Sequence, residues 1–266
     1  MNKDDISRRN FLLGCAFASA VGACAGAGLP AVLWLYAQND RRRISNALVN
    51  LPTPFQSLMV RGMVARSDWG ALPPDHAAFN EFGFYSLENP EGWRVYDVPL
   101  DQAYQTVIIH HSVVYEADDL STLLEIQRSH REQRGWADVA YHYFVGQNGV
   151  LYEGRDIHAR GTHVAGYNTG SVGVCLLGNF VEISPTEAQI ITTRSLVSWL
   201  TANLKATYLA GHGDFNPQTM CPGINLAAYL DDFAFNAGLV RGVEGYIAPP
   251  EQSAGAFCSI CGQSHA

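Results

Sequence analysis

The chain of 266 residues is poor in charge: 16% of its residues are Asp, Glu, Lys or Arg, and the formal net charge is −8. No basic stripe runs through its body, so a general electrostatic footprint for nucleic acid is excluded. Cysteine is scarce too. The six residues at 15, 24, 175, 221, 258 and 261 are too few for a disulfide scaffold at this length, and they form three separate situations rather than one framework. Internal repeats and long low-complexity segments are absent, which excludes solenoids and arrays. What remains is a globular composition, 47% hydrophobic, enough for one sizeable domain with extensions or two small ones.

The N-terminus stands apart. Ser7-Arg8-Arg9-Asn10-Phe11-Leu12 places two arginines directly before an apolar stretch from Phe11 to Ala37. The run resembles the twin-arginine export signal, Ser-Arg-Arg-x-Phe-Leu, which implies the twin-arginine translocase as a partner and the periplasm or cell envelope as destination. Small residues at 18–20 and 23–25 are compatible with cleavage, and Val21-Gly22-Ala23-Cys24 is a loose lipobox that would lipidate Cys24. Residues 11–37 are also long enough to span a bilayer, with Arg41-Arg42-Arg43 as an interfacial flank, so membrane association stays open beside cleavage. Residues 1–41 form this segment and residues 42–60 a linker.

In the body, Thr106 to His110 is a short continuous apolar run of the kind buried on both faces of a sheet, ending in His110-His111-Ser112. Asp119 to Arg134 reads as an amphipathic helix with apolar residues at 120, 123, 124 and 126, stopped by Gly135. Val139 to Val145 reads as a strand with Tyr141 and Tyr143 on one face and His142 on the other; Gln147-Asn148-Gly149 turns it back through Val150 to Glu153. Ser171 to Leu177 is a second buried strand. Ser184 to Glu187 is a capping box for a helix whose core face is Ile190, Val197, Leu200 and Leu204. Tyr208 to Gly211 is a short strand delivering His212. Residues 76–100, rich in Gly, Asn, Pro and aromatics, read as an irregular insertion lining a groove. The expected fold is α/β, a mixed central sheet flanked by helices.

Chemistry concentrates in residues 211–223, GHGDFNPQTMCPG. An imidazole (His212) and a thiol (Cys221) across an Asn-Pro turn suit Zn²⁺, and a histidine from the pair 110–111 would leave one tetrahedral position open. Two residues alone are better described as a turn with a hydrogen-bonded His and a buried Cys. The landmarks RSDWGA with Pro73-Pro74, VIIHHS, IQRSHREQRGWADVAYHYFVGQNGVLYEGRD, GTHVAGYNTGSVGVCLLGNF and GHGDFNPQTMCPG stand in the order of a known family. From about Val64 to Leu230 the chain resembles the type 2 N-acetylmuramoyl-L-alanine amidases, zinc enzymes that include phage amidases and peptidoglycan recognition proteins.

That resemblance implies one Zn²⁺ held by His110, His212 and Cys221, and a catalytic Tyr141 whose phenol hydrogen-bonds the attacking water or the oxyanion. Thr219 stands where some phage members carry Lys and recognition-type members a small hydroxyl residue; a neutral hydroxyl donates to an oxyanion but does not replace an ammonium. Two departures stand out: Gly213 where members often carry Arg, and a His212–Cys221 spacing one residue longer than in recognition proteins. Tyr152, Arg155, His158, His163 and Asn168 are candidate groove residues on loops. His111 reads as a packing or supporting residue, His130 as helix surface, and His142 and Cys175 as core.

The resemblance implies an exported hydrolase that cleaves the lactyl–L-alanine amide of peptidoglycan or muropeptides, with an amidase domain over residues 61–232. A binding protein or an envelope structural subunit on the same fold are the alternatives, and the ligand Cys221 favours hydrolysis. Residues 233–266 form a tail outside the family pattern, where Cys258 and Cys261 make a small disulfide, a redox pair or half a metal site with His265.

Overall fold

Strand β1 (Thr106–His111) is buried along its whole length, as a continuous apolar run requires of a strand covered on both faces. The computed structural model describes residues 62–244, Tyr246, and the pairs 257–258 and 263–264. The expectations on export, lipidation and membrane insertion fall on residues outside that range. Among the described residues no helix is long and apolar enough to cross a membrane.

Five further strands join β1 in one sheet: β2 (Tyr143–Val145), β3 (Leu151–Glu153), β4 (Ser171–Leu176), β5 (Tyr208–Gly211) and β6 (Val240–Arg241). Their order is β3-β2-β4-β1-β5-β6, with only the β2–β3 hairpin antiparallel. This is the mixed sheet that the sequence predicts. Connecting helices are α1 (Leu100–Ala103), α2 (Asp119–Arg128), α3 (Glu187–Leu204), α4 (His212–Phe215), α5 (Ile224–Ala227) and α6 (Leu230–Ala237). The sheet edge β6 lies beyond residue 232, so the fold continues past that expected boundary. A separate hairpin, β7 (Phe257–Cys258) with β8 (Gln263–Ser264), brackets the tail's C-x-x-C run, whose second cysteine is outside the described residues.

Alternation along β1 splits the core. Val107 and Ile109 join Val172, Val174, Leu209 and the α3 residues Leu196, Val197 and Leu200 in one cluster, to which α6 adds Leu230 and Phe233. The other cluster sets Leu123 and Ile126 of α2 against Phe144 and Cys175. The expected α3 face, Ile190, Val197, Leu200 and Leu204, is buried, each side chain contributing about 1.5–3 kcal/mol.

Three local expectations shift, each because a buried polar group outbids the pattern. The α3 cap is Thr186 with Gln189, two residues beyond the expected box, because the Gln189 amide also donates to the Val145 and Leu177 carbonyls. In α2, Leu120 and Leu124 are exposed while Asp119, Thr122 and Gln127 are buried. The Asp119 carboxylate accepts from Tyr115, Tyr152 and the Gln147 amide, turning that face inward. The helix then opens into a π-turn, Ser129–Gln133, before Gly135 at φ 66° ends it. Finally, Tyr141 and Tyr143 do not share a face. The strand begins at Tyr143, because His142 pairs through both its backbone and its ring with Gly173 and draws the chain out of the ladder.

Two polar staples hold the loops to this frame. Trp69 donates to the Glu153 carbonyl at 2.7 Å, and Arg66 pairs with Asp138 at 2.9 Å, which pins the RSDWGA segment. Segment 76–100 does not wall a groove near His110. Its Glu81 forms a 2.6 Å ion pair with Arg155, the two side chains 3% and 0% exposed, and Trp93 covers the guanidinium at 4.6 Å. Removing one partner leaves an uncompensated buried charge. Glu81→Ala is therefore expected to lose about 3–5 kcal/mol in urea denaturation, whereas replacing both residues by Met loses much less; equal losses would remove the ion pair as the cause.

Candidate metal centre

Register brings the ligand candidates together. Parallel pairing sets Ile109 opposite Gly211 and His110 opposite Cys175. His110, the penultimate residue of β1, thus lies beside the first residue of α4, and the rings of His110 and His212 are 4.9 Å apart. The Cys221 turn folds back over both: Gly213 N–H donates to the Cys221 carbonyl at 2.8 Å, and the backbone N–H of His111 donates to Cys221 Sγ at 3.4 Å. The ligand atoms of His110, His212 and Cys221 all lie within 4.8 Å of one another.

Hydrogen bonds assign the tautomer of His110. His163 Nε2 faces the Ser171 carbonyl at 3.4 Å, and a carbonyl only accepts, so that nitrogen carries the proton. His163 Nδ1 therefore accepts, and His110 Nε2–H donates to it at 3.0 Å. This leaves the lone pair of His110 Nδ1 directed at the cluster, 3.6 Å from Cys221 Sγ. A tetrahedral ion with bonds of about 2.0–2.1 Å to nitrogen and about 2.3 Å to sulfur sets an N···S edge of roughly 3.6 Å. The donor set and this edge fit zinc.

Burial keeps the imidazoles neutral. Burial, then the neighbouring His163, holds His110 well below the ordinary histidine range, and burial lowers His212 too. Burial pushes the Cys221 thiol up to about 12. A cation reverses that preference, because a coordinating thiol is deprotonated.

Around the cluster a cleft of about 530 Å³ is lined by His212, Thr219 and Cys221 on one side and Tyr141, His130 and Arg134 on another. The Tyr141 ring lies 4.9 Å from that of His110. Its phenol is raised well above the ordinary value, first by burial and then by the thiols of Cys175 and Cys221, so it remains a donor at neutral pH. Thr219 Oγ1 accepts the Cys221 N–H at 3.2 Å, which orders the turn while its own proton stays available.

Of the loop residues expected to wall a groove, His163 is a partner of His110, and Asn168 holds it by accepting from the His163 and Val164 amides. Gly173 makes room for it: a Cβ there would sit 2.7 Å from the His163 ring. Tyr152, Arg155 and His158 turn instead to Asp119, Glu81 and Asp156. His111 supports: its Nδ1 accepts the Phe180 amide. His130, read as helix surface, lines the cleft, with Nδ1 accepting from the Ala140 amide. Nothing in a helical periodicity reveals it, since the π-turn rotates it inward. Cleft residues Val113 and Val114 were also missed. Val113 adopts φ 65°, a conformation that costs a non-glycine residue about 1–3 kcal/mol. Gly213 is dictated by contact: a Cβ would meet the Cys221 carbonyl at 2.9 Å. The neighbouring Asp214 finds its cation elsewhere, in Arg241 of β6 at 2.6 Å.

Fold and site together define a mixed α/β domain with an open two-histidine, one-cysteine cluster at the carboxyl ends of its central strands. Comparison with known proteins agrees. The family described as N-acetylmuramoyl-L-alanine amidase (Amidase_2) matches residues 100–224, a span that includes His110, Tyr141, His212, Thr219 and Cys221. An endolysin of Klebsiella phage KP32 is 37% identical over 135 residues, 49% of this chain and 87% of its own. Peptidoglycan-recognition protein LB of Drosophila melanogaster is 30% identical over 179 residues, 64% of this chain and 68% of its own. Its solved wild-type structure superposes with a TM-score of 0.50 at 28% identity, over 64% of this chain and 92% of that one. The chain belongs to the N-acetylmuramoyl-L-alanine amidase family.

Burial also fixes a pH dependence through two histidines outside the candidate ligand set. His142 is lowered to about 4 and His130 to about 3, in both cases chiefly by burial, against 6.5 for a free imidazole. Because the folded values are depressed, the unfolded chain takes up protons first as pH falls. Stability is full above pH 6.5 and is lost towards pH 4, at up to about 1.4 kcal/mol per pH unit for each ring. We expect chemical denaturation of the metal-free protein to show this slope and His142→Gln to flatten it; an unchanged slope in the variant would clear His142 of the effect.

Proposed function

We propose that the protein is a zinc-dependent N-acetylmuramoyl-L-alanine amidase of the cell envelope, hydrolysing the amide between the lactyl group and L-alanine of peptidoglycan. The observation that carries this reading is the His110–His212–Cys221 cluster, with ligand atoms within 4.8 Å, opening onto a cleft that also holds a protonated Tyr141. Zinc bound there supplies Lewis acidity for the carbonyl and brings the pKa of a water down to about 7.

The chain's own groups do the rest. His163 fixes the His110 ring so that Nδ1 faces the cluster, the supporting role that ligand histidines ordinarily need. The Tyr141 phenol donates a hydrogen bond to the oxygen that becomes negative as water adds to the lactyl carbonyl. Thr219, anchored by its bond from Cys221 N–H, offers a second hydroxyl donor at the cleft edge. Breaking the C–N bond leaves the water oxygen on the lactyl carbon as a carboxylate and releases the L-alanyl nitrogen as an amine. Relatives with solved complexes support the substrate class: peptidoglycan recognition protein LE, 25% identical with a TM-score of 0.52 over 66% of this chain and 94% of its own, is solved with tracheal cytotoxin, a monomeric diaminopimelic acid-type peptidoglycan.

The twin-arginine-like run at Ser7 to Leu12 supports delivery to the periplasm or envelope, and residues 11–37 a membrane association there. The amidase domain begins near residue 61 and takes in β6 at Val240–Arg241.

Cys221→Ala is expected to abolish both zinc retention and muropeptide release. Tyr141→Phe should keep one zinc per chain and lose about 10²–10³ in kcat, read by metal analysis and by chromatography of digested sacculi. Wild-type protein that holds stoichiometric zinc yet never releases peptide would replace hydrolysis by a binding or structural role on the same fold.

A further inference from the structure

Two non-glycine residues among those described have positive φ, Lys205 at 54° and Val113 at 65°. Lys205 caps the C-terminus of α3, where a left-handed residue has an ordinary task. Val113 has no such task, and a β-branched side chain is among the worst for that conformation.

The backbone around Val113 is locked without its side chain. Its N–H donates to the Gly178 carbonyl at 3.2 Å. The Ser112 hydroxyl donates to the Val114 carbonyl at 2.6 Å and accepts from the Gly178 N–H at 2.9 Å. A glycine at 113 would meet every one of these bonds with no strain. Core packing does not explain the valine either, because Val113 is 54% exposed and Val114 45% exposed. Both line the cleft, together with Tyr141, Thr219 and Cys221. An isopropyl group is thus held out from the fold, in a stiff rotamer, on the wall of the cavity that contains the cluster.

We infer that Val113, with Val114 beside it, is a specificity-determining wall that packs against the short alkyl side chain of the residue on the amine side of the scissile amide. This rests on the amidase reading of the cleft. The wall selects a methyl-bearing residue over glycine through apolar contact, a discrimination of roughly tenfold or more per carbon.

The test compares Val113→Gly and Val113→Asn with the wild-type chain, loaded with zinc. Glycine and asparagine both accept the left-handed conformation, so melting temperatures should equal or exceed that of the wild type, with zinc stoichiometry unchanged. Substrates are N-acetylmuramoyl-L-alanyl-D-isoglutamine and its glycyl analogue, followed by calorimetric binding and by product release. The expected result is an alanyl-over-glycyl preference that falls from roughly tenfold towards unity in both variants. A preference kept in both variants overturns the wall. So does a preference lost together with zinc and melting temperature, which would give Val113 a purely structural role. If the wild type binds with the preference but releases no product, hydrolysis fails as a reading, while the binding comparison still decides the wall.

Discussion

The hydrogen bond from His110 to His163 governs the centre of this protein. It decides which nitrogen of His110 keeps its lone pair, and it does so from behind the strand, where no solvent competes. Its own geometry is set by a chain of dependencies. Ser171 fixes the proton on His163, Asn168 ties down the His163 backbone, and Gly173 clears the space for the ring. Those groups sit on or just before β4, the neighbour of β1. The sheet register is therefore an electronic constraint as well as a packing one: a slip of one residue would turn His110 to the α3 face and leave the ring unpartnered.

The second dependency is the turn from His212 to Cys221. The Cys221 N–H donates to the Thr219 hydroxyl, its carbonyl accepts from the Gly213 N–H, and Asp214 caps the end of β5 by accepting from Gly211. Arg241 then neutralises Asp214 from the edge strand. The loop therefore carries its own internal order and draws its charge balance from the end of the fold. The cation for this turn thus comes from β6, while close approach to the Cys221 carbonyl leaves no room for a side chain at Gly213.

Much of this was legible in the residues. Buried strands announced themselves as apolar runs, and β1, β4, β5 and α3 lie where periodicity puts them. The candidate trio His110, His212 and Cys221, which the structure brings into one cluster, was legible through the order of the family's landmarks, because the local signals alone describe a turn with a buried Cys and leave 110 and 111 undecided. What the sequence concealed was polar burial. Asp119 and Gln127 rotate α2 away from its apolar stripe, Gln189 moves a cap by two residues, and His142 shortens β2. Each is a long-range partner choice that no local window contains. The groove loops failed for the same reason: Arg155 and Tyr152 look like binding residues until a carboxylate from elsewhere claims them. His130 and Val113 were hidden by backbone departures, a π-turn and a left-handed residue, which sequence periodicity assumes away.

The ion pair between Glu81 and Arg155 has a consequence for the history of the chain. Its members stand 74 positions apart, and both are sealed from water. A lineage that altered either one first would pass through a form with a stranded charge, so the two sites drift together or stay still. The irregular stretch that carries Glu81 has few regular backbone bonds of its own, yet it cannot be shed or freely rewritten. The loop it clasps holds it in place through Arg155, although the segment itself does not line the cleft beside the cluster.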